Sequence, residues 1–77
     1  MLDSPLRLYF TDGCHLCDEA VTLLQQANSD YTKIDIIHEQ KLVDLYAYHI
    51  PVLQDVHGNC LNWPFNLQQL NDFIHIQ

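Results

Sequence analysis

Residues 9 to 20 read YFTDGCHLCDEA, and within them Cys14 and Cys17 stand three apart, between an apolar run and a stretch with helical spacing. Two thiols so spaced can exchange disulfides or supply half of a metal site. Asp12-Gly13 is a turn signal, and Cys17, Ala20, Val21, Leu24 and Ala27 recur at helical intervals. This places Cys14 at the N-terminal edge of a helix and Cys17 in its first turn. Unpaired N–H groups and the positive end of the helix dipole stabilise a thiolate there, and thiolate is the attacking species. Cys14 is therefore the predicted nucleophile. Cys17, within disulfide reach on the same turn, is the predicted resolving thiol. A cationic His15 would favour the thiolate; an exposed loop histidine with no task is the competing reading.

A metal site is the alternative chemistry. His57-Gly58-Asn59-Cys60 is an H-x-x-C that could join C-H-L-C as three thiolates and one imidazole on structural zinc. The order of elements opposes it. If Pro51 opens a strand beside the cysteines, residues 57 to 60 form the turn at its far end, roughly 17 to 20 Å away by ordinary strand rise. No metal ligand is therefore expected, and Cys60 is expected to act as a small core hydrophobe. A c-type haem site fails on spacing, because the histidine lies inside the pair. His38, His49 and His75 fall in no ligand-like spacing.

Positioning the pair requires a strand before it and a helix after it. Residues 6 to 11 (LRLYFT) read as a first buried strand, and Asn28-Ser29-Asp30 stops the helix that follows. YTKIDII, residues 31 to 37, reads as a second strand joined by a parallel crossover. Leu42, Leu45, Tyr46 and His49 are expected to share a face of a short second helix, which Pro51 ends. PVLQDV and CLNW flank the turn residues His57-Gly58-Asn59 and read as a hairpin. Asn66, with Gln69 three residues on, forms a capping box for a last helix bearing Leu67, Leu70, Phe73 and Ile74.

A strand, a C-x-x-C at a helix start and a returning strand match the thioredoxin-type redox arrangement. LYFTDGCHLC, YTKIDI and IPVL together resemble the glutaredoxin-like branch of the thioredoxin superfamily, from Leu6 to Leu53 and more loosely to the end. The elements run βαβαββα, and the resemblance implies an α/β thioredoxin-like fold with a four-stranded mixed sheet flanked by helices; no bound cofactor is expected, since the dithiol itself holds the reducing equivalents. It also implies that Ile50-Pro51 is a cis step opening the third strand, where the Ile50 backbone would meet an extended thiol substrate. Trp63 would then lie beside the site as a platform or plug the open edge of the core.

The pattern departs from the family at the substrate. Family members that use glutathione place basic side chains beside the cysteines and a small, Gly-containing turn ahead of the last helix. Here Asp12, Asp18 and Glu19 surround the pair, and the bulky NWPFN precedes the helix. An acidic surround works against capture of anionic glutathione and against the Cys14 thiolate. An iron-sulfur cluster shared between protomers would need the same missing glutathione groups.

Composition bounds the rest. The chain's 77 residues fit a single domain spanning 1–77, and 48% apolar content supplies a core. Ten acidic residues against Arg7, Lys33 and Lys41 give a net charge of −7, which excludes nucleic acid and anionic membranes as partners. MLDSPLRLYF does not resemble a signal peptide and no run could span a bilayer, so the cytoplasm is the expected compartment. The reading is a monomeric thiol-disulfide oxidoreductase acting on a disulfide-containing protein or a small thiol. The rival is a non-catalytic module of the same fold that binds a protein through the surface around Trp63 and Pro51.

Overall fold

The computed structural model describes residues 6–75. In chain order the elements are β1 (Arg7–Phe10), α1 (His15–Gln26), β2 (Thr32–Asp35), a 3₁₀ turn (Ile36–His38), α2 (Gln40–Tyr46), β3 (Val52–Gln54), β4 (Cys60–Asn62) and α3 (Leu67–His75). The sheet order is β2-β1-β3-β4. β1 and β2 run parallel, whereas β3 is antiparallel to both β1 and β4. This is the expected βαβαββα mixed sheet, a thioredoxin-like fold. No described helix is long and apolar enough to cross a membrane.

Strand alternation divides the core in two. Leu6, Leu8 and Leu53 face α1 and α3, where Ala20, Leu24, Phe65, Leu70 and Phe73 close over them. Tyr9 and Val52 face the other way, and meet Ile36 together with Leu42, Val43 and Tyr46 from α2. Leu8, Leu24, Leu53 and Leu70 are wholly buried; each contributes on the order of 1.5–3 kcal/mol of transfer free energy.

The α1 helix ends where Asn28 turns left-handed, with φ 54°. The Asn28 and Ser29 N–H groups return to the carbonyls of Gln25 and Leu24, satisfying acceptors the helix end would otherwise leave open. The capping box of α3 is reciprocal: Asn66 Oδ1 accepts from the Gln69 N–H at 2.8 Å, and Gln69 Oε1 accepts from the Asn66 N–H at 2.9 Å.

Four local expectations are corrected. First, β2 stops at Asp35, because the Asp35 carboxylate accepts from the Ile37 N–H at 3.1 Å and folds the chain into the 3₁₀ turn. Ile36 is thereby buried while Ile37 is left 61% exposed. Second, α2 is shorter than the periodic stretch suggested and turns Val43 inward in place of Leu45, which is 53% exposed; His49 is also exposed.

The third correction concerns Cys60, which is exposed. In β4 Leu61 pairs with Leu53 on the face covered by α1 and α3, so Cys60 and Asn62 point to the opposite side. The β3–β4 turn closes as expected on Gly58, with φ 88°. Its organiser is Asp55, the fourth correction: it lies in the turn, beyond the end of β3 at Gln54, and not in a strand. The Asp55 carboxylate accepts from the N–H groups of His57 at 2.8 Å and Asn59 at 2.9 Å, and from Asn59 Nδ2 at 3.1 Å.

Candidate active site

β1 delivers the chain to Asp12-Gly13, where Gly13 takes φ 84° and aims the next residue into α1. Nothing lies within 4 Å of where a Cβ would stand on Gly13, so only the backbone angle requires glycine. Cys14 is the N-cap of α1. Its Sγ accepts from the Cys17 N–H at 3.2 Å, and its carbonyl accepts from the N–H groups of Cys17 and Asp18. Its thiol thus takes the capping place usually filled by a serine or aspartate oxygen.

Cys14 and Cys17 are joined as a disulfide, with Cα atoms 5.3 Å apart. The two sulfurs differ in access: Cys17 is 2% exposed beneath α1, whereas Cys14 is partly open to solvent. His15 opens the helix and is exposed, as are Asp12, Asp18 and Glu19. The three basic residues lie elsewhere: Arg7 on β1, Lys33 on β2 and Lys41 on α2.

β3 runs antiparallel to β1, with Val52 opposite Tyr9, which brings Pro51 to the end of the sheet from which Cys14 emerges. The Ile50-Pro51 peptide is cis and Pro51 is buried. Asn62 pairs with Val52, so Trp63 arrives at the same end. Trp63 is half-buried. It packs on the core and meets the Phe65 ring edge-on at 5.0 Å, and it also lines an open groove of about 450 Å³ with Glu19, Thr22, Leu23, Phe65 and Leu67. Its packing on the core fits the plug, and the lining of the groove includes neither Cys14 nor Pro51.

The zinc set is not assembled. Gln54↔Cys60 is the register pair farthest from Pro51, and among the described residues no three His, Cys, Asp or Glu side chains converge as metal ligands. Partial desolvation pushes the Cys60 thiol above its ordinary pKa, the Asp55 charge adds to this, and a hydrogen bond from Gln54 only partly offsets it. At Asp55 burial pushes the pKa up, but the hydrogen bonds from Asn59 and His57 outweigh it and hold the carboxyl below its ordinary value.

Sequence reasoning missed three further features. The cis Trp63-Pro64 peptide had no recognised signal. The groove joins residues of α1 to the 63–67 segment, and such a pairing exists only after packing. The third is a polar link behind the sheet: Tyr9 donates its hydroxyl to Gln54 Oε1 at 2.8 Å while stacking on Tyr46 at 4.5 Å. Burial raises the Tyr46 pKa, and the Cys60 and Tyr9 charges add to the effect.

A dithiol at a helix start on a four-stranded mixed sheet defines the class: a thioredoxin-fold protein with a close cysteine pair. A family profile described as Glutaredoxin-like domain (DUF836) matches residues 5–75, and the chain belongs to that family. The X-ray structure of Northeast Structural Genomics target protein XcR50 from X. campestris is similar at 37% identity and TM-score 0.88, over 94% of this chain and 97% of that one. The solution structure of XcR50 agrees, at 36% identity and TM-score 0.87, over 95% of each chain. Protein Ne2328 from Nitrosomonas europaea shares the fold at TM-score 0.76 and 23% identity, over 95% of this chain and 93% of that one. No curated protein matches the chain.

Proposed function

We propose that the protein is a thiol-disulfide oxidoreductase, acting as a monomer without a bound cofactor, in which Cys14 attacks and Cys17 resolves. The asymmetry of the pair carries this reading. The more open sulfur receives the helix N–H at 3.2 Å, and its partner lies buried one turn away. A hydrogen bond to sulfur favours the charged form, and access favours the outer thiol as the attacker.

In the reducing direction the Cys14 thiolate attacks one sulfur of a substrate disulfide. That S–S bond breaks, a mixed disulfide forms, and the departing thiolate takes a proton from water. The Cys17 thiol gives its proton to water and attacks the Cys14 sulfur, which expels the second substrate thiolate and closes the Cys14–Cys17 disulfide. Two electrons pass from the dithiol to the substrate, and a donor thiol pair returns them. Ile50 already gives its N–H to the Tyr46 carbonyl at 3.0 Å, so pairing with an extended substrate beside Pro51 would run through the Ile50 carbonyl. A reducing cytoplasm suits a dithiol that must cycle.

The rival is a binding module of the same fold, which the acidic neighbours of Cys14 favour because they oppose its thiolate. Turnover assays separate the two. Cys14→Ser should lose disulfide reduction and Cys17→Ser should accumulate a mixed disulfide on Cys14; full turnover in Cys14→Ser would contradict the assignment. With glutathione as donor the rate should be lower than with a thioredoxin system, because no Lys or Arg flanks the pair.

A further inference from the structure

We infer that the groove between α1 and the 63–67 segment holds an apolar side chain of a basic polypeptide whose disulfide is presented to Cys14; this rests on the exchange chemistry proposed above and names its substrate class. The groove measures about 450 Å³, within the roughly 300–1,000 Å³ of ordinary ligand pockets. Its lining is apolar at Leu23 and Leu67 and aromatic at Trp63 and Phe65, with the two rings braced edge to face at 5.0 Å. Aromatic anchors braced in this way give up little conformational freedom on binding.

The position of the groove fits a substrate already bonded to Cys14. Glu19, Thr22 and Leu23 follow Cys14 by five, eight and nine residues along α1, an axial displacement of about 7.5 to 13.5 Å at helical rise. An extended substrate covers that distance in about two to four residues. A side chain about two to four residues from the substrate cysteine is therefore the one that enters.

Charge selects among such substrates. Glu19 lines the groove, and Asp12 and Asp18 are exposed on either side of the cysteine pair in sequence, while Arg7, Lys33 and Lys41 all lie on other elements. A Lys- or Arg-bearing chain meets carboxylates both beside the pair and in the groove. Glutathione brings only net negative charge and no large apolar side chain, so it is repelled by the rim and leaves the groove empty.

Trp63 is the chain's single tryptophan, so its emission reports on the groove. The probe is a Lys-rich peptide with Leu two residues from a serine that replaces the reactive cysteine, titrated into the oxidised protein. A saturable blue shift is expected. Binding should be about tenfold or more tighter than for a Glu-rich peptide, a Leu→Ala peptide or S-methyl glutathione, and should weaken as salt rises.

Trp63→Ala would disturb the core, so the variants are placed at exposed positions. Glu19→Lys should cost about tenfold in affinity for the basic peptide, and Thr22→Phe, which fills the groove, should abolish the shift. No shift, equal affinity for all probes, or unchanged binding in both variants would overturn the inference. Because the probe carries no cysteine, such a failure leaves the exchange chemistry standing, and failure of exchange leaves the titration readable.

Discussion

The Cys17 N–H donates to the Cys14 Sγ at 3.2 Å across the first turn of α1, so the turn that joins the two sulfurs also places a donor on the outer one. When the disulfide opens, that donor faces the sulfur on which negative charge develops. Donation to the charged form is the simplest physical bias toward a Cys14 thiolate.

Cys60 should react differently from the pair. Desolvation and the Asp55 charge raise its pKa, so little of it is thiolate at neutral pH. Alkylation of the reduced protein at pH 7, followed by peptide mass mapping, should label Cys14 well before Cys60. Cys60→Ser should leave disulfide exchange unchanged.

Acid should weaken the β3–β4 turn through Asp55. Its folded pKa lies below the ordinary value, so its contribution is complete above about pH 3.9, the unfolded value, and is lost as pH falls through the lower folded pKa. Asp55→Asn should be less stable than the parent at pH 7 in urea titration. The gap should close once the pH falls below the lowered folded pKa, where the parent carboxyl is also protonated.

The α3 cap has a separable cost. Asn66→Ala removes the acceptor of the Gln69 N–H and should destabilise the fold by about 1 kcal/mol. Amide exchange should quicken in the first turn of α3 before it does so in the sheet.

Packing predicts a contrast between two leucines. Leu24 is 0% exposed, so Leu24→Ala should cost on the order of 2–5 kcal/mol, a large part of a small domain's stability. Leu45 is 53% exposed, so Leu45→Ala should stay within about 0.5 kcal/mol in the same denaturant titration.

Much of this architecture is legible along the chain because its signals are local. Asp12-Gly13, the stripe Cys17, Ala20 and Leu24, and the Asn66/Gln69 box each lie within one helical turn or one tight turn of what they specify. The misread features depend on distant partners. Leu45 and Val43 are equally apolar, and only the sheet position of Tyr9 and Val52 decides which of them faces inward. Cys60 reads as a core residue until the Leu53↔Leu61 pairing fixes the parity of β4. Asp35 and Asp55 compete with strand hydrogen bonding through their own side chains, which hydrophobic periodicity does not register. The Trp63 groove has no local signal, since its walls are some forty residues apart in sequence.

The most direct test of the dithiol mechanism is the thiolate titration of Cys14, read as alkylation rate against pH in a protein carrying Cys17→Ser and Cys60→Ser. The account predicts an inflection well below the free-cysteine value of about 8.5, with the helix start overriding Asp12, Asp18 and Glu19. An inflection at or above that value would contradict it and leave the fold serving as a binding module.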